Sequence, residues 1–393
     1  MKPLREYRAG IIGTGFIAPV HIEALRRIGV QVTAICGSTA SAQKTADEWG
    51  IPEVYGNYDH GALCQSSSVD VVHITSPNKA HVEQALAALQ AGKHVVCEKP
   101  LGMNTAETAR LQAAVHAAGP NGPLLAVNYM CRFFPAVLQM RELVRRGDLG
   151  RIIHVQGHFF QDWLLHDTDF NWRILASEGG PLRAVGDIGT HWIDTVSFIL
   201  GAPVTSLFAH LGTFHKTRLR PSGPVATFAR VDRAEMRPYE VDTEDFGSLL
   251  LQFGRADHDF VNGVHANAAI SQMAAGWKCS LALGIYGTEG SVRWDLQQPN
   301  EIQVGRRDQP NQVLQRGTPG FDEDVRGFTD YPGGHPEGFP DSHKMHYRAI
   351  YQHLASGRTE PILFATVDDG HEEVRLCEAI LESSRQGRSV AIG

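Results

Sequence analysis

The sequence predicts a two-domain α/β protein. A parallel sheet wrapped by helices comes first, and an α/β domain built on a large, mostly antiparallel open sheet follows it. Three observations carry this prediction. The 393 residues exceed the roughly 250–300 at which a single core stops growing. Through the first third, short β-branched runs alternate with helical stretches, the signature of strand–helix–strand units with right-handed crossovers. From Arg151 onward, strand-like runs follow one another with few helices between them, which calls for hairpin connections. The expected domains are residues 1–127 and 128–393.

Ala9-Gly10-Ile11-Ile12 reads as the first buried strand, Ala18 to Ile28 as a helix, Val30 to Cys36 as the second strand and Ala40 to Trp49 as the next helix. Val69 to Thr75 and His94 to Cys97 are further β-branched runs, followed by helical patterns over His81 to Ala91 and Thr105 to Ala118. Leu124 to Val127 supplies the last strand of that sheet, and a helix from Pro135 to Arg146 stops at Gly147. The second domain contributes strands at Ile152 to Phe160, Val204 to Leu211, Phe246 to Phe253, Lys278 to Tyr286 and Ser291 to Leu296. One strong helix interrupts them, Val185 to Leu200, with Gly201 as its stop. Gly212 to Asp245 and Gln298 to Asp341 are rich in Gly, Pro and charge and read as irregular, as lids and arms are.

Composition removes several function classes. With 36 basic and 43 acidic side chains the net charge is −7, and no basic stripe offers itself to a phosphate backbone, so nucleic acid is not an expected partner. No window approaches the apolar length of a membrane span, and the charged N-terminus lacks the apolar segment of a signal peptide. Six scattered cysteines without a C-x-x-C pair fit reduced thiols in a cytoplasmic protein, and no metal site is expected.

Gly13-Thr14-Gly15-Phe16-Ile17-Ala18 directly follows the first strand and opens the first helix. In that context Gly13 permits a tight turn, Gly15 lets the backbone approach a pyrophosphate, and Ala18 lets helix and strand pack closely. The helix N-terminus then attracts negative charge. These features are those expected of a Rossmann-type dinucleotide site. The second strand ends in Cys36-Gly37-Ser38-Thr39 rather than in an acid, and Lys44 follows one turn later, so NAD and NADP both stay open.

Two loops fall at the carboxyl ends of later strands, where ligands of such sheets bind: Thr75-Ser76-Pro77-Asn78, with His81 soon after, and Glu98-Lys99-Pro100. Asp187 and His191 stand four residues apart on the second domain's main helix, a spacing that shares one α-helical face. A cation, an imidazole and an orienting carboxylate are the parts needed to take a proton from an alcohol as hydride leaves its carbon.

In order and spacing these motifs, with Leu101, the run Gly186 to His191 and the late Gly284-Ile285-Tyr286-Gly287-Thr288-Glu289-Gly290-Ser291, resemble the Gfo/Idh/MocA oxidoreductases. The resemblance implies a Rossmann domain joined to a sheet domain that mediates homodimers or homotetramers. It implies Lys99, Asp187 and His191 as catalytic residues with His191 the general base, and a Lys99–Pro100 bond that is cis. Cofactor contacts would come from Gly13, Gly15, Phe16, Ile17, Ser38, Thr39, Thr75, Pro77, Asn78, His81, Glu98 and Lys99. Gln161-Asp162-Trp163 and Asn171-Trp172-Arg173 resemble the family's levoglucosan and pyranoside 3-dehydrogenase branch. Trp163, Trp172, Arg173 and Arg132 would then join Lys99, Asp187 and His191 around a sugar or glycoside, with the loop His335 to Pro340 helping to shape the pocket. The implied activity is NAD(P)-dependent oxidation of a secondary hydroxyl of a sugar, glycoside or cyclic polyol. An NAD-dependent glycosidase working by transient oxidation and a non-catalytic dinucleotide-binding regulator are the alternatives.

Overall fold

A computed structural model describes residues 2–223 and 232–393; residues 224–231, inside the stretch expected to be irregular, lie outside the described residues. The chain forms two compact units. The first gathers Met1–Met130, Ser177–Gly180 and Phe339–Arg375, and the second gathers Cys131–Ala176, Pro181–Gly338 and Leu376–Gly393. Two later segments therefore return to the first unit, which a single boundary after residue 127 does not describe.

In the first unit β1 (Arg8–Ile12), β2 (Gln31–Cys36), β3 (Glu53–Tyr55), β4 (Val71–Ile74), β5 (His94–Cys97) and β6 (Leu125–Val127) form a parallel sheet in the order 6-5-4-1-2-3. Ala365–Thr366 adds an antiparallel edge to β6. The order reverses between β4 and β1, and a doubly wound sheet opens its ligand crevice at that point, outside the carboxyl ends of the strands. Every residue of β4 is buried, because helices cover both faces. The connections are α1 (Ala18–Arg27), α2 (Thr39–Trp49), α3 (His60–Gln65), α4 (His81–Gln90) and α5 (Thr105–Ala118). Ser38, Asp59 and Asn104 start α2, α3 and α5 by accepting first-turn N–H groups. Ile12, Ile74, Val95, Leu111 and Val127 lie in the common core.

The returning helix Phe339–Ala355 packs on α1. Its buried face carries His343, His346, Tyr347 and Tyr351, so no aliphatic periodicity announces it in the sequence.

The second unit holds β7 (Ile152–Phe160), β8 (Val204–Gly212), β9 (Thr217–Pro221), β10 (Met236–Glu240), β11 (Phe246–Arg255), β12 (Asn262–Ser271), β13 (Ser280–Gly287), β14 (Ser291–Asp295), β15 (Glu301–Arg306) and β16 (Gln309–Gln315). Its large sheet runs 16-15-14-13-7-12-11-8, with Val390–Ala391 beyond β8, while β9 and β10 pair separately. All neighbours in the large sheet are antiparallel except β7 and β12, which are parallel. Along β11, Gly247, Leu249, Leu251 and Phe253 are buried between more exposed residues, the alternation of a sheet covered on one face. The helix Thr190–Leu200 lies on that sheet, where the Trp192 indole N–H donates to the Ala282 carbonyl at 3.1 Å.

Two expectations are corrected here. Gly212 to Asp245 contains the β9–β10 pair, and Gln298 to Asp341 contains β15 and β16. The residues of β16 are exposed at nearly every position, so the strand carries no apolar alternation to read. A further strand, β12, for which the sequence raises no expectation, buries Val264, Ala266, Ala268 and Ile270; the two alanines at its middle are poor strand formers and weaken its signal. No helix among the described residues is long and apolar enough to cross a membrane.

Candidate active site

β1 delivers the chain into the turn Gly13 to Ile17, and α1 begins at Ala18. Gly13 sits at φ 111°, where a Cβ would stand 2.6 Å from Thr75 Oγ1 and 2.7 Å from the Thr75 carbonyl carbon. Only glycine fits there. At Gly15 a Cβ would meet no atom within 4 Å, so glycine at that position answers no packing need of the protein. It leaves bare backbone next to a helix N-terminus whose first turn holds no acid. An open cradle of backbone N–H groups at a helix start fits the pyrophosphate of a dinucleotide. Ile17 occupies the cap position of α1, and Phe16 is 60% exposed beside the turn.

At the end of β2, Ser38 Oγ accepts the Ser41 N–H at 3.2 Å, and Thr39 Oγ1 donates to Asn57 Oδ1 at 3.0 Å. Thr14 Oγ1 donates to Ser41 Oγ at 2.9 Å, which ties this loop to the glycine turn. Lys44 stands 3.7 Å from Glu48 on the exposed side of α2.

The two loops after β4 and β5 are braced to each other. His81 is fully buried, with Nδ1 2.8 Å from the Pro100 carbonyl oxygen and Nε2 2.9 Å from that of Ser76. Burial lowers its pKa, the two carbonyls opposing that shift only in part. His81, expected at the cofactor, is thus a strut between the loops, since both ring nitrogens face backbone. Asn78 behaves similarly, donating from Nδ2 to the Gly179 carbonyl at 2.8 Å, and Pro77 starts the short turn Asn78–Ala80. Thr75 Oγ1 donates back to the Ile12 carbonyl at 3.0 Å.

Glu98 is buried, and its Oε1 accepts from Asn128 Nδ2 at 2.5 Å and lies 3.1 Å from His21 Nε2. Its Oε2 accepts the Lys99 N–H at 3.2 Å. Burial alone would raise this carboxyl, but the hydrogen bond and charge of His21, the charge of Lys99 and the Asn128 amide outweigh it and hold the group well below the usual carboxylate range. The Lys99–Pro100 bond is cis.

In the second unit Asp187 lies within a π-helical turn, Val185–Gly189, and the α-helix Thr190–Leu200 begins after it. The expected α-helical spacing of Asp187 and His191 is therefore interrupted by a wider turn, a feature frequent at functional sites. Arg173 Nε donates to Asp187 Oδ1 at 3.1 Å, and Gln272 Nε2 donates to Asp187 Oδ2 at 2.9 Å, so each carboxylate oxygen has its own donor. The Arg173 guanidinium lies 4.3 Å over the Trp172 ring, and Asn171 Oδ1 accepts from Arg173 Nη1 at 3.2 Å. Upstream of the π turn, Glu244 accepts the N–H groups of Arg183 and Val185 at 2.8–3.0 Å. Cys131 Sγ is 3.9 Å from His191 Nδ1, and the ring leans toward Phe159 with centroids 6.2 Å apart.

Other expected substrate residues are placed differently. Arg132 is buried and grips Asp194 through Nε at 3.0 and 3.1 Å and Nη2 at 2.5 Å. This ion pair ties the Met130–Phe133 turn to the Thr190–Leu200 helix, a structural task rather than the pocket-shaping one expected. Trp163 packs against the small apolar cluster of Leu164, Ile174 and Val241, and its N–H donates to Gln161 Oε1 at 2.7 Å. In the His335 to Pro340 loop, Glu337 pairs with the buried Arg316 at 3.0 Å.

The sequence reading misses His21, Asn128 and Gln272. A histidine on the buried face of an amphipathic helix carries no local signal, and Gln272 follows a strand that was itself unread. Among the described residues no group of three or more His, Cys, Asp or Glu is arranged to hold a metal ion.

Comparison with known proteins bears on this arrangement. Residues 7–128 match the model described as "Oxidoreductase family, NAD-binding Rossmann fold", and residues 137–293 match the "GFO/IDH/MocA C-terminal domain". Levoglucosan dehydrogenase of Pseudarthrobacter phenanthrenivorans is 27% identical over 97% of both chains. D-glucoside 3-dehydrogenase of Escherichia coli is 34% identical over 63% of this chain and 67% of its own. An oxidoreductase domain protein from Kribbella flavida superposes with a TM-score of 0.85 at 26% identity, covering 98% of this chain and 99% of that one.

Proposed function

Since the chain belongs to the Gfo/Idh/MocA family of NAD-binding oxidoreductases, we propose that it oxidises a secondary ring hydroxyl of a pyranose or pyranoside to a ketone. The relatives named for levoglucosan and for D-glucosides support that substrate class. The observation that carries the reading is the two-donor grip of Arg173 and Gln272 on Asp187, four residues before His191. A carboxylate fixed in this way within a π turn is prepared to orient polar groups rather than to wander in solvent.

In the proposed reaction His191 accepts the hydroxyl proton as a general base. The ammonium of Lys99 is assigned the stabilisation of the negative charge that develops on that oxygen. Asp187 orients them, and Trp172, stiffened beneath Arg173, offers an aromatic face to the C–H surface of the sugar. A nicotinamide held by the glycine turn and the loops after β4 and β5 would supply the hydride acceptor for the carbinol carbon. Overall the alcohol loses one hydride and one proton.

The cradle at Gly15, the N-terminus of α1 and the loops after β2, β4 and β5 would hold the dinucleotide. Ser38 and Thr39 are neutral and repel neither a ribose 2′-hydroxyl nor a 2′-phosphate, so the proposal is NAD with NADP also accepted. The large sheet of the second unit is proposed as the contact between copies in a homodimer or homotetramer, measurable by light scattering.

A panel of pyranoses and pyranosides, assayed with NAD and with NADP, tests the reading. Substrate-dependent formation of reduced dinucleotide supports it. Release of free aglycone without reduced dinucleotide would replace it with glycoside cleavage through transient oxidation.

A further inference from the structure

Residues 161–175 follow β7 with no regular element except the short turn Trp172–Ile174, and they carry the arginine that donates to Asp187. A side chain distant in sequence holds them. Arg218, from β9, is fully buried. Its Nη1 donates to the carbonyl oxygens of His166 at 2.9 Å and Asp169 at 3.5 Å, and its Nη2 to the Leu164 carbonyl at 2.9 Å and to Asp245 Oδ1 at 2.7 Å. One guanidinium thus gathers three carbonyls of an irregular loop around one carboxylate. Thr243 Oγ1 donates to the Ile174 carbonyl at 2.9 Å, the Leu219 N–H donates to the Asp167 carbonyl at 2.8 Å, and the Tyr239 ring meets that of Phe170 edge-on with centroids 6.0 Å apart.

Burying a guanidinium is a costly route to stability, since well-packed apolar side chains often serve as well. What an arginine adds is a rigid fork of donors with fixed directions. The same carboxylate also fixes the other side of the Asp187 contact. Asp245 Oδ1 accepts from Arg183 Nη2 as well, and the Arg183 carbonyl accepts the Asp187 N–H at 2.7 Å. The Asp245 carbonyl accepts the Gln272 N–H at 3.2 Å, and Gln272 is the second donor to Asp187. Arg173, the backbone of Asp187 and Gln272 are therefore all referenced to one residue. Arg218 is the link that brings the loop into that frame.

We propose that Arg218, seconded by Thr243, is a positioning residue for sugar specificity: it fixes the loop 161–175, and with it the direction from which Trp172 and Arg173 meet a pyranoside at Asp187. This rests on the proposed oxidation at Asp187 and adds to it the element that sets discrimination between sugars. Being fully buried, Arg218 acts through the loop and not by touching the sugar.

Arg218→Lys keeps a charge beside Asp245 but donates from a single point, so it cannot span the loop carbonyls. Two measurements are read together: hydrogen exchange of the loop amides by mass spectrometry, and steady-state kinetics with the best pyranoside of the panel and its epimer at a hydroxyl that is not oxidised. Exchange over residues 161–175 should quicken about tenfold or more while the glycine turn keeps its wild-type rate. KM for the best pyranoside should rise about tenfold, and the ratio of kcat/KM between it and its epimer should shrink about fivefold or more, with NADH affinity within about twofold of wild type. A merely structural loss would lower the active fraction alone and leave both KM values and the ratio where they were. Should the lysine variant fail to fold, Thr243→Val removes a single hydroxyl donor from the same loop, and the same changes are expected at about two- to fivefold. Unchanged loop exchange in either folded variant, or faster exchange with KM and the epimer ratio unmoved, would overturn the proposal. A wild type that oxidises no pyranoside would overturn the substrate reading, and the specificity claim with it. The wild-type assay tells the two failures apart, because a failure of Arg218 alone shows only as a variant that matches a working wild type.

Discussion

Two glycines of the first turn separate what the fold requires from what the ligand requires. Gly13→Ala must place a methyl 2.6 Å from Thr75 Oγ1 and 2.7 Å from the Thr75 carbonyl carbon at φ 111°. The second contact is with backbone, so rotating a side chain cannot relieve it. Strain at that φ costs about 1–3 kcal/mol, and overpacking adds a further ~1–3 kcal/mol. A total loss of about 2–6 kcal/mol follows, a large share of the stability of an ordinary domain. Gly15→Ala meets nothing within 4 Å. Its stability should be unchanged or up to about 1 kcal/mol higher, through a less flexible unfolded chain. The same methyl stands where the pyrophosphate would rest, and NADH affinity should fall at least tenfold, about 1.4 kcal/mol. Urea unfolding gives the stabilities, and NADH fluorescence titration gives the affinities. A Gly15→Ala protein that binds NADH as tightly as the wild type would refute the cradle.

Other substitutions and conditions test the remaining parts. Arg132→Ala leaves Asp194 buried without its partner and should cost about 3–5 kcal/mol of stability, with little effect on sugar KM in the folded fraction; a raised KM at intact stability would restore Arg132 to the pocket. Asp187→Asn should lower kcat by about 10²–10⁴ while dinucleotide affinity stays within a factor of two or so, read by steady-state kinetics beside the same titration. Burial pushes the Glu244 carboxyl from 4.5 up to about 7, so the native state holds that proton more tightly than the unfolded chain does. Its contribution to stability is fully present below pH 4.5 and is lost as pH rises to about 7, a fall of about 3 kcal/mol. The pH dependence of urea unfolding in wild type minus that in Glu244→Gln isolates the effect, and parallel curves would contradict it.

The first sheet was legible because its strands are buried on both faces and read as continuous apolar runs, and because glycine at positions 13 and 15 marks the turn. Glu98-Lys99-Pro100 and the Asp187/His191 pair stood out as charge at strand and helix ends. What escaped has physical causes. The helix Phe339–Ala355 buries three histidines and two tyrosines alongside only Met345 and Ile350 as long apolar side chains, and a largely polar buried face looks like a solvated one. β16 is exposed at nearly every position and shows no alternation, while β12 buries alternate residues but has alanine at two of those positions, which mutes the pattern. The family resemblance implies a ligand role for His81 and Arg132, yet only three-dimensional partners reveal that one braces two loops and the other pairs with Asp194. His21 and Gln272 act through neighbours distant in sequence, by 77 residues to Glu98 and 85 to Asp187. No local pattern could announce them.

The central proposal is that Lys99 and His191 serve one hydroxyl of one sugar, and a double-mutant cycle on hydride transfer measures this directly. Single-turnover reduction of dinucleotide would be followed in wild type, Lys99→Ala, His191→Ala and the double variant, with NADH binding as the control. If both groups act in one step, each single change should slow transfer by about 10²–10⁴, and the double should be little slower than the worse single, because groups that work as a unit are not additive. Full additivity of the two losses, or wild-type transfer in either single variant with NADH binding intact, would contradict it.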